Sequence, residues 1–304
     1  GGSARVEGPL ADPKAKLPLR YEFVDAVAAL EAGDATRALP TFRKVVADTP
    51  GMTEGWIQLG STLQRLGQTD EALAAFQRAL QIAPGSTSAA LGAANLLREL
   101  GRHDEARRHA ELALGVAPVE AQTMLATIAL AGLDFGSSER AARAALAAGG
   151  GQLEPLLLLA RAMVGQKRAS EALEILEQAE RRIPALPPGS RDYRGLYVAR
   201  GDAYLVLDRP RDAFSAYQLE VDTFPDSPAG YISLAFLFQT AGRPRDAARF
   251  PVLFVEKNPT DPTAYRIAVL TLQKLGDKNG AQRLLAQGRA RFPADAALKT
   301  LTLD

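Results

Sequence analysis

The chain has 304 residues, 47% of them apolar and 23% charged, with a formal net charge of +1. That near-neutral charge offers no field to hold a polyanion, which argues against nucleic acid as a partner. The absence of cysteine excludes disulfides and thiolate metal sites, and no apolar run approaches the roughly 18 residues of a membrane helix, so no membrane span is expected.

The opening stretch, residues 1–18, is rich in Gly and Pro and lacks the apolar centre of a signal peptide. It reads as a linker cut from a larger protein. After it, apolar and small residues recur with the spacing of paired helices. A unit starting near residue 19 carries Gly33, Ala38, Phe42 and Pro50. The next, near 53, has Trp56, Leu59, Gly60 and Leu63 on one helix face. A break follows at Gly67, and then Ala72, Phe76 and Ala79 on a second helix that ends at Pro84. A third, near 87, has Ala94, Leu97, Gly101, Ala106, Ala113 and Pro118. A degenerate unit fills residues 119–151; it lacks a closing proline and ends in Gly149-Gly150-Gly151. Units near 153 and 194 follow, separated by a turn-rich surplus at Ala185–Asp192. Those near 228 and 262 complete the series, and residues 294–304 suit a partial C-terminal cap.

The unit from Glu54 to Pro84 resembles the tetratricopeptide repeat (TPR), which spans 34 residues with a Trp, Leu-Gly, Tyr, Ala, Phe, Ala and Pro signature. The resemblance spans about residues 19–293 and implies an all-α fold, a right-handed superhelical solenoid of about eight helical hairpins. Small residues at the eighth and twentieth places let paired helices touch, and large ones at the twenty-fourth fill the space between hairpins. An acid recurs in the first turn of the second helix, as at Glu71, Glu105, Glu171, Asp212 and Asp246. There it faces the positive end of the helix dipole.

The pentapeptide "RPRDA" occurs at Arg209–Ala213 and again at Arg243–Ala247, one period apart. It reads as the bend and first turn of a second helix, with proline where a helix start tolerates it. Its functional alternative is an edge lined by Arg209, Arg211, Arg243 and Arg245. Pro251 occupies a twenty-fourth place, where a helix interior does not tolerate it. It predicts a kinked or shortened helix, or a docking site.

No catalytic motif is present: no P-loop, no G-x-G-x-x-G and no G-x-S-x-G. His103 and His109 stand six apart, a spacing that does not share a helix face, so no metal site is expected. Neither a cofactor nor an enzymatic activity is expected. What remains is a surface. The resemblance implies that the second, fifth, ninth and twelfth places of each first helix line a concave groove for a protein or peptide. Those places supply Ser61 and Gln64, then Asn95 and Arg98, then Arg161, then Phe236 and Gln239, and finally Arg266. Amides suit peptide backbone, arginines suit carboxylates, and Phe236 offers an apolar anchor. Some family members clamp a terminal carboxylate with Lys at place five and Asn at place nine. Here Asn95 matches but Leu91 stands at place five, which leaves Asn95 and Arg98 to grip a carboxylate by themselves.

The stretch "GPLADPKAKLPL" within residues 8–19 resembles the junction of bacterial chains in which a sulfatase domain precedes such repeats. It implies an alternative function as a regulatory or dimerising appendage of a sulfatase-like hydrolase, with a homodimer as one outcome. The compartment would then be the periplasm or the exterior, and otherwise the cytoplasm.

Overall fold

Apolar residues recurring every three to four positions make amphipathic helices, and glycines between them make the bends. The computed structural model describes residues 17–149, 152–185 and 193–303, with side chains from residue 21 onward. Most of the lead-in, the Gly150-Gly151 stop and the surplus loop at 186–192 lie outside the described residues. The described residues contain helices and no strand.

In chain order the helices are α1 (Leu17–Glu31), α2 (Ala35–Asp48), α3 (Thr53–Arg65), α4 (Thr69–Ile82), α5 (Thr87–Glu99) and α6 (His103–Glu111). Then come α7 (Pro118–Ala131), α8 (Phe135–Ala147), α9 (Glu154–Gly165), α10 (Ala169–Arg182), α11 (Leu196–Val206) and α12 (Pro210–Thr223). The last are α13 (Pro228–Thr240), α14 (Pro244–Ala247), α15 (Arg249–Lys257), α16 (Pro262–Lys274), α17 (Lys278–Arg291) and α18 (Ala296–Thr300). The chain divides into two compact units, Gly1–Gly132 and Leu133–Asp304.

Within each unit helices pack on their sequence neighbours, and first helices also touch the first helix of the next pair. In the first unit α3 meets α5 and α5 meets α7; in the second, α9 meets α11, α11 meets α13 and α13 meets α16. First helices of successive pairs thus share one face, and second helices form the layer behind it. This is the all-α solenoid arrangement in which each repeat buries its apolar side on the next.

The contacts are made by a small set of places. The twentieth place holds Ala38, Ala72 and Ala106 in the first unit, and Ser138, Ala172, Ala213, Ala247 and Ala281 in the second, all at most 1% exposed. A larger side chain there would part the helices. The twenty-fourth place holds rings that need room. Phe76 lies against Gly60, where an added Cβ would sit 3.0 Å from its ring; Tyr217 lies against Gly201, where a Cβ would overlap the ring outright.

The bends share one geometry. Gly33, Gly67, Gly101, Gly242 and Gly276 hold φ between 72° and 88°, and Leu133, Lys167 and Asp208 hold φ of 60°, 63° and 55° at the equivalent places. Around Gly67, the Gln68 N–H donates to Leu63 O at 2.9 Å and the Gly67 N–H to Gln64 O at 3.0 Å. This is a Schellman closure, which satisfies the last carbonyls of the first helix.

The residue after the bend has two solutions in seven of the eight bends, and Gln68 uses neither. Asp34, Asp134 and Asp277 cap the second helix themselves, accepting N–H bonds from Arg37, Ser137 and Gly280 at 3.0, 3.0 and 2.8 Å. Arg102, Arg168, Arg209 and Arg243 instead pair with the acid three residues on, at 2.6–2.8 Å. The acids Glu105, Glu171, Asp212 and Asp246 thus face both the helix dipole and an arginine.

The helix at Pro251 is interrupted. Proline lacks the N–H that would bond to Ala247 O, and the helix parts one turn earlier at Ala248, into α14 and α15. By contrast α2 accommodates Pro40 without a break. At the C-terminal end α18 lies on α16 and α17, with Leu298 fully buried. Arg289 fastens it by donating to Leu298 O, Lys299 O and Leu301 O at 2.9, 3.0 and 2.7 Å.

Candidate functional site

The first-helix face of the first unit carries Ser61 and Gln64 on α3, and Asn95 and Arg98 on α5; all four are half-buried. Three of them converge on one carboxylate of the chain itself. Glu99 accepts from Gln64 Nε2 at 3.0 Å, from Asn95 Nδ2 at 3.1 Å and from Arg98 Nη2 at 3.5 Å. Arg98 also donates through Nη2 to Asn95 Oδ1 at 2.8 Å. The Asn95–Arg98 pair therefore already grips an acid. Glu99 stands at the thirteenth place of its repeat, outside the set that a groove reading inspects.

In the second unit Arg161 on α9 is exposed, while Asp202 on α11 is half-buried and accepts the Tyr217 hydroxyl at 2.6 Å. Burial raises the Asp202 carboxyl above its usual pKa, against the opposing hydrogen bond from Tyr217 and the charge of Arg161. Phe236 on α13 is 39% exposed, between Leu205 on α11 at 40% and Leu270 on α16 at 38%. Gln239 turns inward, donating through Nε2 to Leu275 O at 3.4 Å, and its Oε1 is buried. Arg266 on α16 is half-buried. Arg161, Phe236 and Arg266 stand on the first helices α9, α13 and α16, whereas Gln239 serves the packing of α13 on the bend after α16.

Several ionisable groups escape a reading by place. Glu220 on α12 is fully buried at a place where Ala79, Ala113 and Ala179 stand in other repeats. It reaches back to the start of α11, accepting the Gly195 N–H at 2.6 Å. Burial raises its pKa, against bonds from the Gly195, Tyr197 and Val198 N–H groups. It caps a helix whose own N-cap residue is glycine. Glu139 on α8 accepts from Arg143 at 2.8 Å, from Gln166 at 2.9 Å and from Arg168 at 2.8 Å. Burial would raise its pKa, but these donors together hold it at about 2. Both acids fasten helices. Among the described residues no group of three His, Cys, Asp or Glu side chains is placed to hold a metal. His103 and His109 instead turn their Nδ1 atoms inward, and burial lowers the pKa of His109.

Residues 52–118 match the family model described as tetratricopeptide repeat. That segment carries tetratricopeptide repeats. A TPR protein from Parabacteroides merdae ATCC 43184 is similar in structure, with a TM-score of 0.64 and 16% identity over 84% of this chain and 98% of that one. The Cut9–Hcn1 hetero-tetramer of APC/C is similar at 0.61 and 14%, over 81% of this chain and 48% of that one. PilW, a type IV pilus biogenesis factor, is similar at 0.59 and 18%, over 70% and 96%. At these identities the likeness is one of fold. No curated protein matches the chain. TPR proteins are generally protein-interaction scaffolds. No helix among the described residues is long and apolar enough to cross a membrane.

Proposed function

We propose that this TPR chain is a non-catalytic scaffold that holds an extended peptide or protein segment along its first-helix face. The observation that supports this most is the row of partly exposed apolar side chains on consecutive first helices of the second unit: Leu205, Phe236 and Leu270. Exposed apolar groups flanked by Arg161 and Arg266 suit a peptide that alternates apolar and acidic side chains. In the first unit, Gln64, Asn95 and Arg98 would meet backbone or carboxylate groups in exchange for their bonds to Glu99, with Ser61 beside them.

Selection of random peptides on the immobilised full chain, followed by calorimetry, tests the reading. Phe236→Ala should weaken a selected peptide about tenfold, close to 1.4 kcal/mol, with circular dichroism unchanged. Equal affinity for the variant, or loss of helicity on making it, would refute the assignment of Phe236 to a ligand face. Sedimentation of the free chain addresses the other occupant of such a face, a second copy.

A further inference from the structure

The second helix of the seventh repeat is interrupted, and its twenty-fourth place departs from the pattern of its neighbours. Phe76 and Tyr217 occupy the twenty-fourth place in theirs and are buried. Here that place is Pro251, and the large ring has moved three residues on to Phe254. That ring packs inward on Tyr231, with centroids 5.1 Å apart. On the outer side, among α12, the α14–α15 break and α17, a cleft of about 750 Å³ remains. Ligand sites typically have volumes of roughly 300–1,000 Å³.

One wall of the cleft is aromatic. Phe238 meets Phe214 edge-on at 6.1 Å and Phe250 at 5.2 Å. Phe214 and Val252 remain 38% and 39% exposed. The other wall is cationic. Arg243 is already committed: it pairs with Asp246 at 2.8 Å and lies 4.7 Å over the Phe238 ring. Asp277 is committed as the cap of α17. Arg245, Arg249 and Arg283 line the cleft and are exposed. Among the described residues none of these three is ion-paired with a carboxylate. Glu256 is the remaining acid on the lining. Three uncommitted guanidinium groups thus face one uncommitted carboxylate, beside exposed aromatic carbon.

We propose that this cleft on the second-helix side is a further binding site, for a segment of a partner protein in which an acidic side chain neighbours a large apolar one. The carboxylate would take charge-assisted, forked bonds from Arg245 and Arg283. The apolar neighbour would rest on Phe214 and Val252. The first "RPRDA" copy extends the surface. Its Arg211 borders an adjoining hollow of about 380 Å³ that shares Phe214, Phe238 and Arg243. In each copy the first arginine is bound internally, Arg209 to Asp212 and Arg243 to Asp246. The second arginine, Arg211 or Arg245, is left to the surface. The site is independent of the first-helix reading.

The test uses a fluorescein-labelled octapeptide of alternating aspartate and phenylalanine, with a lysine-for-aspartate peptide as control, read by fluorescence polarisation on the full chain. The acidic peptide should bind and the basic one should not. Arg245→Glu with Arg283→Glu should weaken it at least tenfold, and Val252→Asp should weaken it without touching an arginine. Because the first-helix face also suits such a peptide, the cleft variants are repeated in the Phe236→Ala background, where the same losses should appear. Absence of binding at millimolar peptide, equal binding of the basic peptide, or insensitivity to both cleft variants would overturn the proposal. Loss through Phe236→Ala alone would place the peptide on the first-helix face and also overturn it.

Discussion

Gly60 has no side chain because Phe76 needs the space, and that constraint was legible in the sequence: glycine at the eighth place and phenylalanine at the twenty-fourth. Gly60→Leu would drive four carbons into the ring, and overpacking of this kind costs about 1–3 kcal/mol; a thermal melt should show the midpoint fall. Charged residues were less legible, because their partners are chosen by geometry between repeats. Glu99 lay outside the groove places, so the filled Asn95–Arg98 cradle was not foreseen. Glu220 stood where neighbouring repeats have alanine, a departure that could have marked it. Two acids of the second unit, half-buried Glu139 and buried Glu220, should respond to pH in opposite directions. Glu139 has its pKa lowered to about 2, so its contribution to stability is present above about 4.5 and is lost as pH falls toward 2. Glu220 has its pKa raised by burial, so its contribution is full below about 4.5 and declines as pH rises through the folded-state value. Denaturant titrations from pH 2 to 7 on Glu139→Gln and Glu220→Gln should therefore diverge. The first variant should lose most relative to wild type at pH 7 and least near pH 2. The second should gain on wild type as pH rises. Parallel curves would contradict both assignments.

At the scale of the element, the bend decides where each helix ends. Five bends use glycine, as the repeat pattern implied, but Leu133, Lys167 and Asp208 adopt the same left-handed geometry. These three were not legible as bends from residue type, because the Schellman closure is imposed by helix length and packing rather than by glycine alone. A non-glycine residue in this region costs roughly 1–2 kcal/mol. Glycine returns roughly 0.5–1 kcal/mol of that through the greater freedom of the unfolded chain. Leu133 is 72% exposed, so its side chain gives up little on removal. Leu133→Gly should stabilise the protein by about 0.5 kcal/mol or more, seen as a higher urea midpoint at unchanged slope. Pro251 was legible as an interruption, and the structure places the break one turn before it. Pro251→Ala restores the N–H toward Ala247 O, and it should join α14 to α15 with a rise in helical ellipticity at 222 nm. Unchanged ellipticity would show that packing, and not the proline, parts the helix.

At the scale of the whole molecule, the sequence periodicity translates into stacking because each repeat touches only its neighbours, and so a local pattern specifies the architecture. The division of the chain after Gly132 was not legible: it falls inside the degenerate repeat, whose small residues Ala121, Ala126, Ser138 and Ala142 are buried as in the other repeats. The outer cleft was half legible, through the doubled "RPRDA" and Pro251. That α12, the α14–α15 break and α17 surround one space follows only from the stacking of three second helices. The central claim is that a ligand lies on first helices, and hydrogen exchange measured by mass spectrometry on the full chain, with and without a selected peptide, tests it most directly. The account expects added protection on α11, α13 and α16 and little change on α12 and α17. Protection confined to second helices, or none at saturating peptide, would contradict it.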